Sequence, residues 1–476
     1  MNKVVGIDAL AAYVPKTFLE LVPEKKVDGK YVETEFCKSR RLAPAFEKCG
    51  DLPSYIADGV GVYQFGVPDG HEDSVTMGAM AFKKLIDDND LNISDIGRVF
   101  VGTETPVDNS KPNAIYINGA IERHFGGSMR NCTPVDMKFA CAGATVALEL
   151  LGEWIESGKS KGRYGVAIAT DISTYPLRTR EEVTQGAGAI AMLVSENPRL
   201  LAFENGSEEI TSTVSKDEKD FFRPVTQHTA VVDGQLSIGS YLSTCKEALL
   251  DYRNKAVSQG IIAAGGLLTD NVDRLLLHLP FYKMGEYASS ALFKNEWRGT
   301  SRFDEIVKEI GFPEPKNGDK VKEKDFEKKF RESKIFKEAF SQKVESGLLA
   351  SRRTGNIYTG SIYASLMSML ENDARKGTDL NGKRFGFGSY GSGSLFKAFT
   401  ARIQPEFKEV VSKMDLLKQL DERNSKGSLS LDDYERLHEK GMVKSDSIIE
   451  PHQEFVLDRI GNTSLDSGYR YYRFVD

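Results

Sequence analysis

Residues 134–149 read PVDMKFACAGATVALE. A strand-like apolar stretch stops at a cysteine, and small residues then open a run with helical spacing that reaches about Ser157. A second short apolar run, YGVAIAT (164–170), follows it. Such continuous runs are typical of buried strands in parallel sheets. Strand, crossover helix and strand in that order imply an α/β arrangement with parallel pairing.

The same alternation extends outward on both sides. Upstream lie VVGIDAL, extended, then SVTMGAMAFKKLIDD with helical spacing, then RVFVGTE (98–104), extended again. After about Leu177 the chain becomes richer in turns and then recovers. QGAGAIAMLVSE reads as a glycine-lightened strand, DRLLLHLP (273–280) as a buried one, and KRFGFGSY (383–390) as another. No low-complexity linker separates the halves, and the expected division is 1–176 and 177–476. Three stretches read as surface additions: 206–222, 313–345 and 405–455, the last two dense in Lys, Glu and Asp. Such charge runs are expected to be solvated helix faces.

The chain has 476 residues, 40% of them apolar and 28% charged, enough for a large core as two domains or one duplicated unit. Its 63 basic and 69 acidic residues give a net charge of −6, mixed along the chain. The basic stripe of a nucleic-acid binder is missing, so no nucleic-acid partner is expected. No apolar stretch approaches the roughly 18 residues that span a bilayer, so no membrane partner is expected either. The start, MNKVVGIDALAAYVP, enters a strand-like pattern without a charged leader, and a soluble, cytoplasmic protein is expected. Five cysteines (Cys37, Cys49, Cys132, Cys141 and Cys245) are odd in number and irregularly spaced, which suggests neither a disulfide framework nor a zinc site. Six histidines are scattered with no HExxH pair, so no metal is indicated.

The chemically interesting residues fall where strands end. Glu104 ends RVFVGTE, Cys141 ends PVDMKFA, His278 lies near the end of RLLLHLP, and the loop SYGSGS (389–394) follows KRFGFG. In open α/β sheets ligands bind outside the carboxyl ends of the strands. At a helix amino terminus, unpaired N–H groups and the macrodipole favour a thiolate, so the Cys141 pKa is expected to fall. Ala142, Gly143 and Ala144 leave room for an acyl group beside the sulfur. Burial beneath VFVG is expected to raise the pKa of Glu104 into the range useful for proton transfer. His278 stands in a wholly apolar run, where a core histidine bonded to a carbonyl is the alternative reading. SYGSGS lacks the GK[ST] of a phosphate loop and suits close backbone approach to a ligand.

With these residues in place, the chain resembles the hydroxymethylglutaryl-CoA synthases of the thiolase-like condensing-enzyme superfamily. The matching stretches are VGTETPVDNSKP, KFACAGATVAL, ATDISTY with TQGAGAIAM, HLPFYKMG, TGNIYTGSIYASL and FGSYGSGS, in family order. The resemblance implies a five-layered αβαβα fold of two similar halves, paired as a homodimer. It implies Cys141 as the nucleophile acetylated by acetyl-CoA, Glu104 as general acid/base, and His278 as the anchor for acetoacetyl-CoA. Asn356 and Ser389 match positions that hold the acyl thioester, and Lys283 a basic position near the CoA. Backbone N–H groups of Cys141 and Ser389 are the candidate oxyanion hole. No cofactor is implied beyond the CoA of the substrates. One departure is Ala142, where many members carry a tyrosine.

Three other readings stay open. A β-branching relative would take its β-keto group from an acyl carrier protein. A silent member would serve as scaffold in a complex with a thiolase. A cysteine protease is suggested by the 137-residue spacing of Cys141 and His278, but its CG[SA]C[WY] signature is absent.

Overall fold

The computed structural model describes residues 3–204, 211–315, 319–423, 425–440 and 447–476. The amino-terminal apolar run forms β1 (Val5–Tyr13), buried at every position. After it come α1 (Ser74–Asp88), β2 (Ile96–Gly102), α2 (Asn113–Phe125) and β3 (Thr133–Met137). The first half closes with α3 (Gly143–Glu156), β4 (Tyr164–Ser173) and β5 (Gly186–Glu196). The second half contains β6 (Leu201–Phe203), β7 (Ser212–Ser215), α4 (Gly234–Ser258), β8 (Arg274–Leu277) and α5 (Tyr282–Trp297). It continues with α6 (Ser361–Arg375), β9 (Arg384–Gly391), β10 (Leu395–Ile403) and α7 (Leu431–Lys440).

Among the described residues these strands form one ten-stranded sheet, ordered β8-β9-β10-β6-β1-β5-β4-β2-β3, with β7 beside β10. Parallel pairing is confined to β3–β2–β4 and β8–β9. The strand–helix–strand unit pairs in parallel as expected, β3 and β4 both flanking β2, whereas β4–β5 and β9–β10 are antiparallel. For β9–β10 the reason is chain length: residues 392–394 alone join them, and a parallel return needs a crossover of a dozen or more residues.

The pairing pattern occurs twice. β2 is parallel to β4, then β5 and β1 follow antiparallel; β8 is parallel to β9, then β10 and β6 follow antiparallel. Only two residue pairs, Gly6–Ala202 and Ile7–Leu201, join β1 to β6 across the seam. The expected division after residue 176 falls inside the first half-sheet, between β4 and β5, which pair with each other.

Helices cover both faces. Ile168 and Thr170 of β4 meet Gly78 of α1, whereas Gly165 meets Leu151 of α3, as alternation along a strand requires. α3 also reaches the second half: Glu149 pairs with Lys397 of β10 at 2.6 Å, and Thr145 bonds Tyr363 of α6 at 2.6 Å. α4 and α5 lie on the outer face of the second half-sheet. The order is therefore αβαβα, with α3 and α6 in the middle layer. The charged stretches are more than solvated faces. Phe326, Phe330 and Phe336 of 313–345, and Leu416, Leu420, Tyr434 and Leu437 of 405–455, are buried. Parts of the three stretches, residues 206–210, 316–318, 424 and 441–446, lie outside the described residues.

Candidate active site

Gly102 ends β2 where α3 crosses it. A Cβ there would lie 2.3 Å from the Ala144 nitrogen, so only glycine admits this approach of helix to strand. The close packing sets the start of α3 beside the residues that follow β2. β3 stops at Met137, earlier than expected, and Ala140 turns the chain with φ 39°. Cys141 then precedes the helix, with Ala142 as N-cap.

Residues 37 apart in sequence meet here. The Cys141 Sγ–H donates to Glu104 Oε1 at 2.9 Å, and both side chains are buried. Burial, with the neighbouring Asp171 carboxylate, pushes the Glu104 pKa up to about 8. Burial and the Glu104 carboxylate likewise push the Cys141 thiol well above its ordinary range. That reverses the expectation from the helix terminus: desolvation in this pocket outweighs the macrodipole. An unreacted thiol is thus held protonated next to a carboxyl group able to take its proton.

Asp171, which the sequence reading passed over, organises the floor. It is fully buried near the end of β4 and accepts from Thr103 Oγ1 (3.0 Å), Glu104 N–H (2.7 Å), and the N–H (3.2 Å) and hydroxyl (2.9 Å) of Thr105. From the second half it accepts the Thr359 N–H (3.2 Å) and hydroxyl (2.5 Å). The available signal was a carboxylate closing the apolar run YGVAIAT. Asp220 was also passed over, inside a stretch expected at the surface. It is fully buried and accepts from Tyr390 OH and Gly393 N–H, each at 2.9 Å.

The second half brings the remaining candidates. His278 directly follows β8, and its N–H donates to Gly388 O of β9 at 2.9 Å. Its ring is 2% exposed, and Nδ1 has no hydrogen-bond partner. The core-histidine alternative therefore lacks its carbonyl partner at that nitrogen. Burial pushes its pKa down to about 3, which keeps the imidazole neutral. The buried hydroxyl of Ser389 accepts from Thr145 Oγ1 at 2.8 Å, one helical turn beyond Cys141. Because Gly388 O faces His278, the trans peptide turns the Ser389 N–H the other way, toward Lys397 of β10. The ladder takes up that donor, and the expected loop is strand through Gly391. Ser389 thus offers its hydroxyl here, and its N–H is not an oxyanion donor.

Asn356 is buried, and its Oδ1 accepts from Tyr358 N–H (2.9 Å) and Ser361 Oγ (3.0 Å). Tyr358 packs with Tyr175 and Ala230 in one apolar cluster around Cys141. Lys283, in the first turn of α5, stands farther out and pairs with Glu286 at 2.6 Å. Among the described residues one group, His71, Glu72 and Glu454, brings potential metal donors within 4.8 Å of one another. Its carboxylates already accept from Tyr13 OH, Asp69 N–H, Lys16 and His452 N–H.

A duplicated αβαβα framework with a cysteine and a carboxyl group joined at its seam places the molecule among the thiolase-like condensing enzymes, which transfer acyl groups. Residues 48–198 match the description Hydroxymethylglutaryl-coenzyme A synthase N terminal, and 206–459 match Hydroxymethylglutaryl-coenzyme A synthase C terminal. The Hydroxymethylglutaryl-CoA synthase of Haloferax volcanii is 33% identical, with 99% of each chain covered. A solved structure described as MvaS in complex with 3-hydroxy-3-methylglutaryl coenzyme A is 30% identical, has a TM-score of 0.80 and covers all of both chains. The curacin biosynthetic pathway HMG synthase in complex with holo donor-ACP is 25% identical, with a TM-score of 0.74, covering 99% of this chain and 100% of that one. The chain belongs to the hydroxymethylglutaryl-CoA synthase family.

Proposed function

We propose that the chain condenses acetyl-CoA with acetoacetyl-CoA and water, giving 3-hydroxy-3-methylglutaryl-CoA and free CoA through an acetyl group carried on Cys141. The 2.9 Å contact between Cys141 and Glu104 carries this reading. The relative solved with 3-hydroxy-3-methylglutaryl coenzyme A supports the substrate class.

Ionised Glu104 takes the thiol proton as Sγ attacks the acetyl carbon. The CoA sulfur leaves with that proton, and a thioester joins the acetyl group to Cys141. Glu104 next removes a proton from the acetyl methyl. The enolate oxygen is stabilised by the Cys141 N–H, a preorganised donor in a water-poor site. The enolate carbon attacks the ketone carbon of acetoacetyl-CoA, and the alkoxide recovers the proton from Glu104. Water then cleaves the Cys141 thioester, which frees the carboxylate product and the thiol. His278, neutral and with no protein partner at its buried Nδ1, holds the acetoacetyl thioester without introducing a charge. Asn356 and the Ser389 hydroxyl hold the acyl group, and Lys283 faces the CoA. No resident cofactor enters this scheme.

A homodimer working in the cytoplasm completes the proposal. The five cysteines are all free thiols, which suits a reducing compartment. No helix among the described residues is long and apolar enough to cross a membrane.

Intact-protein mass spectrometry after incubation with acetyl-CoA tests the scheme. One acetyl adduct is expected on the wild type and none on Cys141→Ser. Loss of the adduct from the wild type, or its persistence on the variant, ends the proposal. Turnover with acetoacetyl-CoA, compared with a β-keto acyl carrier protein, decides the carrier.

A further inference from the structure

We propose that Tyr434 and His438, on α7, are positioning residues for the wall of the acetyl-cysteine site, acting through Gln185 on Tyr175. The inference deepens the proposed function and rests on it. α7 lies within the charged stretch 405–455, to which the sequence assigned no part in the chemistry.

Tyr175 packs in the cluster around Cys141 and is 6% exposed. β4 ends at Ser173, so the peptide groups of Tyr175 lie beyond the sheet ladder. Side chains hold them instead. The Tyr175 N–H donates to Gln185 Oε1 at 2.6 Å, and Tyr175 O lies 2.8 Å from His438 Nε2. A carbonyl oxygen only accepts, so Nε2 carries a proton and donates. The same N–H reaches Gln185 Oε1 at 3.2 Å, which makes a three-centre bond clamping both acceptors.

Gln185 cannot turn over without breaking this clamp. Its Oε1 faces Tyr175, so its amide nitrogen faces Tyr434 OH at 2.7 Å, and that hydroxyl donates to Glu182 Oε1 at 3.1 Å. Glu182 is fully buried and bonded to the equally buried Arg40. The chain of bonds therefore ends on a fixed ion pair. Gln185 also borders the opposite wall. A Cβ on Gly355 would strike Gln185 O, and Asn356 N–H donates to Thr184 O at 3.1 Å. Displacing Gln185 would thus move the backbone behind both Cys141 and Asn356.

α7 is docked firmly enough to serve as a fixed support. Leu437 and Tyr434 are buried, and the Tyr434 ring meets Phe65 edge-on at 5.8 Å. A purely structural α7 and a positioning α7 differ in one respect: the latter depends on a donor at the Nε2 position, not on bulk.

The test uses the full-length protein with His438→Leu, His438→Gln and Tyr434→Phe. For His438→Leu, rapid-quench mass spectrometry is expected to show acetyl-adduct formation slowed roughly tenfold to a hundredfold, the scale of small misplacements near a reacting centre. The thermal midpoint should stay within about 4 °C of wild type. His438→Gln, which retains an N–H at similar reach, should recover most of the rate, and Tyr434→Phe should show a smaller loss. Alkylation of Cys141 by iodoacetamide should be faster in His438→Leu, because Tyr175, which shares the buried cluster with Cys141, is no longer held in place. An unchanged adduct rate in His438→Leu, or failure of His438→Gln to rescue a properly folded protein, overturns the inference. If His438→Leu does not fold, Tyr434→Phe and His438→Gln decide: wild-type rates in Tyr434→Phe, or a full loss in His438→Gln, overturn it. If the wild type takes no acetyl group, the proposed function fails, and unchanged alkylation of the variants would separately reject the positioning role.

Discussion

The Glu104 backbone N–H donates to Asp171 Oδ1 across 2.7 Å, so one buried carboxylate fixes the main chain that carries another. The arrangement both places Glu104 against Cys141 and raises its affinity for a proton.

Activity should follow the ionisation of Glu104. Its pKa of about 8 means that the carboxylate, the form that accepts protons, grows in as pH passes that value. Acetyl-adduct formation should climb through about pH 8 and level above it. Glu104→Gln should slow the reaction by roughly 10²- to 10⁴-fold and remove the limb. A rise centred near the ordinary glutamate value of 4.5 would show that burial does not govern the group.

Stability should carry the same signature with a defined sign. Between about pH 4.5 and 8 the folded protein keeps the Glu104 proton, whereas the unfolded chain has lost it. Folding then weakens as pH rises across that window. The thermal midpoint of Glu104→Gln should gain on the wild type between pH 5 and pH 8, as calorimetry would show.

His278→Ala should separate the two halves of the reaction. Acetylation of Cys141 should persist, while condensation with acetoacetyl-CoA falls by roughly 10²- to 10³-fold, the cost of removing one aimed donor. Adduct mass and product release measured on one sample check both parts.

Asp171→Ala removes the acceptor of six donors, of which the Thr105 N–H keeps Thr103 Oγ1 and the Thr359 hydroxyl keeps Gly102 O, so four are orphaned. Each buried orphan costs about 1–3 kcal/mol, partly relieved by water, so a loss of at least about 3 kcal/mol is expected in urea unfolding. A variant as stable as the wild type would mean that these donors find other partners.

Gly102→Ala tests the approach of α3 to β2. The added methyl meets the Ala144 backbone, which cannot rotate away as a side chain could. Destabilisation of about 3 kcal/mol or more, at the upper end for overpacking, is expected together with slower acetylation.

Much of this was legible in the sequence. Apolar runs marked β1, β4 and β8, helical spacing marked α1 over its full length, and Cys141, Glu104 and His278 stood at strand ends. Pairing direction was less legible, because periodicity describes one strand and not its neighbour, so nothing in it marked β5 and β10 as antiparallel. The Cys141 shift has the opposite sign to the expectation, since it is set by burial and by the Glu104 and Asp171 carboxylates, distant in sequence. α7 was hidden by composition: its charged residues dominate the count, while Tyr434 and Leu437 are buried and His438 reaches Tyr175.

The repeated strand pattern gives the chemistry a direction. Glu104 follows β2 and His278 follows β8, matching places in the two halves, while Cys141 precedes α3 and Asn356 lies ahead of α6. In the proposed scheme the first copy supplies the groups that exchange protons and form bonds, and the second supplies neutral groups that only grip. Two chemically similar thioesters would then meet unlike partners at twin positions, and the expected order of addition follows from that unequal inheritance.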